Sequence, residues 1–145
     1  EIDSIEQPIA INQWEHMSIL CKKSPIPIAL DEELIGVFDP EIQSELLTQI
    51  EPQYLIFKPS LLGGFSNTQK WIDLAKKHNI AWWITSALES NVGLNAIAQW
   101  TYSKKPFMPQ GLGTGSLFLN NIDSPLVIKK GCLWNDNAIT WGKIF

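Results

Sequence analysis

The sequence contains no arginine; all 11 basic residues among its 145 are lysines. Without a guanidinium there is no planar fork to grip a phosphate or carboxylate bidentately. An anionic ligand must then be held by metal, by lysine or by backbone N–H groups. The net charge of −4 argues against a nucleic-acid surface. Cysteine is scarce: Cys21 and Cys132 lie far apart, show no metal-type spacing, and read as reduced thiols of a cytoplasmic protein. The two histidines, His16 and His78, fall in polar helical stretches where a solvated face is expected, and they do not support a zinc site. The longest apolar run, around Ile80 to Ile84, is far too short to span a bilayer. The chain begins at Glu1 with no methionine and no signal-like segment, so it reads as trimmed or as a piece of a longer protein.

What is present suffices for one ordinary domain, with 45% apolar residues to build a core. Helical spacing predicts a helix over Ile9 to Lys23, with Trp14, Met17 and Cys21 on one face. Ile26 to Leu30 reads as a strand that runs into Asp31-Glu32-Glu33, Asp31 continuing it. Asp39-Pro40 is a helix start, with an apolar stripe of Ile42, Leu46 and Ile50. Leu55-Ile56-Phe57 is a strand that ends on Lys58 and a glycine turn, Leu62-Gly63-Gly64. Ser66 and Gln69 form a capping-box pattern ahead of a helix carrying Trp71, Leu74 and Ala75. Ile80 to Thr85 is a further strand, and Val92 to Ser103 a helix with Leu94, Ile97 and Ala98 on its apolar side. The tail differs in kind: Leu126 to Trp134 predicts a hairpin and Ala138 to Trp141 one more strand. The tryptophans are expected to pack between helices and sheet.

Glu6 and Asp31 are 25 residues apart, Asp31 and Lys58 27, Lys58 and Ser86 28, and Ser86 and Gly113 27. Each interval holds one helix and one strand. Alternation of this kind implies an α/β fold with parallel strands and right-handed crossovers. In such folds the groups that do chemistry stand where strands end.

Lys58 is the most informative of these marks, because a cation closing an apolar run must be desolvated or face a polar cavity. The bland alternative is a lysine snorkelling to solvent. Glu6 and Asp31, on neighbouring strand tips, suit a hard cation, magnesium first, or are solvated loop acids. Asp31 is preferred as the ligand, with Glu32 as its neighbour. Gly111 to Gly115 lacks the Gly-Lys-Ser/Thr of a phosphate loop. Its N–H groups, Gly113 among them, could approach a substrate carboxylate, or the segment is a plain connection. Ser86 to Asn91 precedes a helix, so Ser86, Ser90 and Asn91 either hold an anion or cap that helix.

Four segments carry a resemblance: Ile5-Glu6-Gln7-Pro8, Ala29-Leu30-Asp31-Glu32, Lys58-Pro59-Ser60-Leu61-Leu62-Gly63-Gly64 and Thr85-Ser86-Ala87-Leu88-Glu89-Ser90-Asn91-Val92-Gly93-Leu94. Together they resemble the enolase superfamily, and within it the dehydratases of menaquinone biosynthesis, over nearly the whole chain. The resemblance implies a modified TIM (β/α) barrel plus a capping domain. Residues 1–121 would supply strands four to eight, and 122–145 would return to the capping domain. It implies Glu6 and Asp31 as the second and third ligands of Mg2+, and Lys58 facing a small-molecule carboxylate substrate opposite the general base. It also places Ser86, Ser90, Asn91 and Gly113 near that substrate. The family's Lys-x-Lys base motif and first metal ligand belong to an earlier strand, and no Lys-x-Lys occurs here. The chain therefore looks like the C-terminal half of an enzyme, inactive alone, whose open strand edges invite self-association. Two rivals stand beside it: an N-acylamino acid racemase of the same superfamily, and a non-catalytic α/β interaction module.

Overall fold

The computed structural model describes residues 2–115 and 117–143. The chain divides into two compact units, Glu1–Trp83 and Ile84–Phe145. In the first, strands and helices alternate through β1 (Ile5–Glu6), α1 (Trp14–Lys23), β2 (Ile28–Leu30), a 3-10 turn at Glu32–Leu34, α2 (Pro40–Ile50), β3 (Tyr54–Phe57), α3 (Gly64–Lys77) and all but the last residue of β4 (Ala81–Ile84). The sheet order is β1-β2-β3-β4. β1 runs parallel to β2, with Glu6 opposite Ala29, and β2 parallel to β3, with Leu30 opposite Leu55. Parallel neighbours need a crossover, which α1 and α2 provide. This is the α/β class that the alternation predicts.

The core follows from composition. Ile28, Ala29, Leu30, Leu55, Ile56 and Phe57 are all at most 1% exposed. Near-continuous apolar strands are what a sheet covered on both faces requires. Helix α2 starts as expected, the Asp39 carboxylate accepting from the Glu41 N–H at 2.8 Å ahead of Pro40. Its buried face is Gln43, Leu46, Leu47 and Ile50, while Ile42 is exposed. Gln43 can take that place because its amide donates to the Val37 carbonyl at 2.9 Å and to Asn67 Oδ1 at 3.3 Å.

Three further expectations are corrected. Helix α1 starts at Trp14, not Ile9, because Asn12 adopts φ +64° and gives its N–H to a Glu33 oxygen. Helix α3 starts at Gly64, behind a left-handed Gly63 at φ +83° with no side-chain cap, so Ser66 lies inside the helix and forms no capping box. A Cβ on Gly63 would stand 2.7 Å from the Phe38 ring. Strand β2 stops at Leu30; Asp31 leaves the strand with ψ −83° and opens the 3-10 turn.

The second unit holds α4 (Asn91–Ser103) and an antiparallel hairpin, β5 (Leu126–Lys129) with β6 (Cys132–Asn135). Lys130 and Gly131, at φ +52° and +74°, form its two-residue turn. No strand forms over Ala138 to Trp141. Instead the Asp136 side chain accepts from the Ala138 N–H at 3.1 Å and its carbonyl from the Ile139 N–H at 3.0 Å, which closes a turn. Gly111 makes an isolated parallel bridge to Thr85. A Cβ there would meet Thr85 Oγ1 at 2.5 Å, so the first glycine of the Gly111–Gly115 run serves close backbone approach. Trp71 and Trp82 are core residues, as expected, whereas Trp134 is exposed. His16 lies on an exposed face, but His78 is half-buried at the end of α3 with Nε2 enclosed. No helix among the described residues is long and apolar enough to cross a membrane.

Candidate metal and catalytic site

Three parallel strands end side by side on three ionisable residues. Glu6 is the last residue of β1, Asp31 follows β2, and Lys58 follows β3. The Lys58 carbonyl accepts the N–H groups of Leu61 and Leu62, at 2.8 and 3.0 Å, which fixes the turn directly after the lysine. The Lys58 ammonium forms an ion pair and hydrogen bond with Asp31 Oδ2, and stands 3.7 Å from Glu6 Oε1. Asp31 is only 2% exposed as a side chain, Lys58 19% and Glu6 54%. Lys58 therefore does not snorkel to bulk water; its head is turned into a carboxylate pocket.

One ligand atom from each of Glu6, Asp31 and Glu32 can be chosen so that all lie within 4.8 Å of one another. Three hard oxygen donors at this spacing match the chemistry of an oxygen-seeking divalent cation. Glu32 joins the group, although the sequence favours Asp31 as the ligand. The 3-10 turn swings Glu32 to the same side, a local conformation that strand periodicity does not foresee.

The electrostatics agree. Burial, and then a hydrogen bond shared with Glu6, push the Asp31 carboxyl up to about 6, against the pull of Lys58. Burial lowers the Lys58 ammonium, but the hydrogen bond and charge of Asp31, with Glu6 and Glu32 behind, outweigh this and raise it overall. A crowded set of carboxylates with one ammonium is short of positive charge, which a cation would supply.

A pH dependence follows. Between the ordinary carboxyl range near 3.8 and about 6, the folded chain holds a proton on Asp31 that the unfolded chain releases. Stability of the metal-free protein should therefore fall as pH rises through that window. Cation binding must displace the same proton. Affinity for a divalent cation, measured by titration calorimetry, should decline about tenfold per pH unit below the Asp31 pKa and level off above it. A flat profile would remove Asp31 from the ligand set.

Ser86, Ser90, Asn91 and Gly113 belong to the second unit and are described within it. Ser86 Oγ donates to Glu89 Oε2 at 2.7 Å and accepts the Leu88 N–H at 2.8 Å, while the Glu89 carboxylate also takes the Ala87 N–H. Ser90 is the N-cap residue of α4, but its side chain makes no capping bond. Asn91 donates its N–H to Asn121 Oδ1 at 3.1 Å and its side-chain amide to the Ile122 carbonyl, leaving its own Oδ1 buried and unpartnered. Gly113 has room for a side chain, the nearest atom being Ile128 Cδ1 at 3.9 Å.

Parallel strands ending on a carboxylate cluster and a lysine define an α/β protein with a metal-capable site. The family model described as enolase C-terminal domain-like matches residues 1–138. The chain belongs to that family, within the enolase superfamily. An o-succinylbenzoate synthase of Desulfotalea psychrophila is 58% identical over 132 residues, covering 91% of this chain and 36% of that protein. Another o-succinylbenzoate synthase, from Mycolicibacterium smegmatis, is 29% identical, covering 96% of this chain and 41% of that protein. The crystal structure of MenC from Desulfotalea psychrophila superposes with a TM-score of 0.86 at 58% identity, over 90% of this chain and 36% of that one. A muconate lactonizing enzyme from Pseudomonas putida shares the fold, at TM-score 0.79 and 22% identity, over 91% of this chain and 37% of its own. The chain thus spans little more than a third of the length of the relatives it matches.

Proposed function

We propose that this chain is the C-terminal part of an o-succinylbenzoate synthase-like, Mg2+-dependent dehydratase of menaquinone biosynthesis. The substrate would be SHCHC, a cyclohexadiene carboxylate, and the product 2-succinylbenzoate. The supporting observation is the meeting of Glu6, Asp31 and Lys58 at the ends of successive parallel strands. The identity to proteins named for this activity points the same way.

In this reading Glu6 and Asp31 are ligands of the cation, with Glu32 beside them. A bound divalent cation would supply Lewis-acid stabilisation of the negative charge that develops on the substrate carboxylate. Lys58 is the catalytic residue, and its ammonium adds a second positive charge against the anion formed when the proton next to the carboxylate is removed. The electron pair left behind breaks the C–O bond on the same face, and the leaving hydroxyl takes up the proton that the base removed and departs as water. The base that removes the proton lies outside these 145 residues, since no Lys-x-Lys occurs in them. Residues 1–121 would form strands four to eight of the barrel, with a preceding strand pairing the outer edge of β1, and 122–145 would return to the capping domain. Ser86, Ser90, Asn91 and Gly113, all in the second unit, are the substrate-binding residues of this reading. The free thiols Cys21 and Cys132 suit a cytoplasmic setting.

In the racemase reading Lys58 is a second acid/base, which exchanges a proton with the substrate. The test is a turnover assay of the full-length enzyme with SHCHC and, separately, with N-acylamino acids. We expect Mg2+-dependent loss of water from SHCHC, and little turnover from residues 1–145 alone. Racemisation without dehydration would overturn the assignment; so would no turnover of either substrate together with metal-independent dimerisation, which would favour the interaction module.

A further inference from the structure

Glu33 is a buried acid with no part in the mechanism above. It is 4% exposed and stands outside the Glu6, Asp31 and Glu32 group. Its Oε1 accepts the Asn12 N–H and the Trp14 indole N–H, each at 2.8 Å. Its Oε2 accepts from the Gln7 amide nitrogen at 3.1 Å. That nitrogen also donates to the Ile9 carbonyl at 3.1 Å. The Gln7 amide oxygen in turn accepts the backbone N–H groups of Asp31 and Glu33, at 3.2 and 3.3 Å. Gln7 directly follows Glu6, so the side chain next to one candidate ligand grips the backbone of the other. The Gln7 backbone sits at φ +36°, which a non-glycine residue adopts only when its surroundings over-determine it.

We propose that Glu33 and Gln7 form a clamp that sets the spacing of the Glu6 and Asp31 carboxylates, as positioning residues for the cation rather than ligands to it; the clamp rests on the metal site proposed above. The polarity of the hydrogen bonds is what makes it specific. A carboxylate only accepts, so Glu33 forces the Gln7 NH2 toward itself and the Gln7 oxygen toward the two N–H groups beyond β2. Glu33→Gln introduces an NH2 that must face either the Gln7 NH2 or the Asn12 and Trp14 donors. If Gln7 turns its amide over to compensate, its NH2 faces two backbone N–H groups. Every arrangement sets donor against donor, and the tie between the two ligand-bearing loops slackens.

The experiment measures Mg2+ affinity by titration calorimetry, and the melting temperature without metal, on the full-length protein. Glu33→Gln and Gln7→Leu should each weaken Mg2+ binding by about tenfold or more, the effect of removing a partner that orients metal ligands. Trp14→Phe removes a donor only from the far side of Glu33. It should lower the melting temperature and leave Mg2+ affinity unchanged, a separation that plain structural support would not give. Should Glu33→Gln not fold, the comparison of Gln7→Leu with Trp14→Phe decides the matter. Unaltered affinity in Glu33→Gln and Gln7→Leu overturns the clamp, as does a loss in all three variants that tracks melting temperature. A parent protein that binds no Mg2+ overturns the metal site itself, and the clamp with it.

Discussion

On the proposed function, replacing Lys58 by alanine in the full-length protein is expected to reduce turnover of SHCHC by about 10²–10³-fold, the usual loss when one preorganised stabiliser of developing negative charge is removed. The fall should appear in kcat, because the ammonium is needed most when the substrate carries extra charge. Mg2+ affinity should hold or rise, since the variant frees an Asp31 oxygen now engaged by Lys58. Lys58→Arg should not rescue the rate. A guanidinium is a wide planar fork, and the position is built for a compact ammonium between Asp31 and Glu6. Near-normal rates in Lys58→Ala, followed by steady-state kinetics, would end the catalytic role.

Asp31→Asn should separate function from stability. It keeps the shape of the side chain and removes its charge, so Mg2+ binding should weaken by about 10²-fold or more, beyond the range seen for groups that only support a ligand. Turnover should disappear with it. The metal-free protein, however, should melt at pH 7 no lower than the parent. The reason is the sign of the shift: burial and the neighbouring Glu6 raise the Asp31 pKa to about 6, so folding disfavours its ionised form. A neutral side chain relieves that cost, and Lys58 still faces Glu6 at 3.7 Å. A large drop in melting temperature, measured by calorimetry, would mean that the carboxylate supports the fold instead of burdening it.

Much of this site is legible in the sequence. The apolar runs Ile28-Ala29-Leu30 and Leu55-Ile56-Phe57 are wholly buried, and the residues that interrupt them, Asp31 and Lys58, do meet. What was missed has identifiable causes. Helical spacing puts Ile42 on the buried stripe of α2, but Gln43 is inside, because a partner from another helix, Asn67, satisfies its amide. No hydrophobicity scale contains that partner. Ser66 and Gln69 matched a capping pattern, yet the two left-handed glycines ahead of them had already started the helix. Ala138 to Trp141 had strand composition, and the Asp136 turn overrode it. Glu33 gave no signal at all beyond being the last of three acids. Its buried place rests on donors from Asn12, Trp14 and Gln7, which lie 21, 19 and 26 residues away.

The sequence by itself determined the alternation of strand and helix, the absence of any guanidinium, and the polar residue at the end of each buried run. These are local properties, set by periodicity, by side-chain chemistry and by the cost of leaving a charge in an apolar segment. Only the tertiary structure decided that Lys58 turns its charge to two carboxylates, and that Gln7 ties the segment after Glu6 to the segment after Leu30. Those outcomes depend on hydrogen bonds across 24 to 27 residues of chain. Distances of that kind are set only when the parallel strands fix their register.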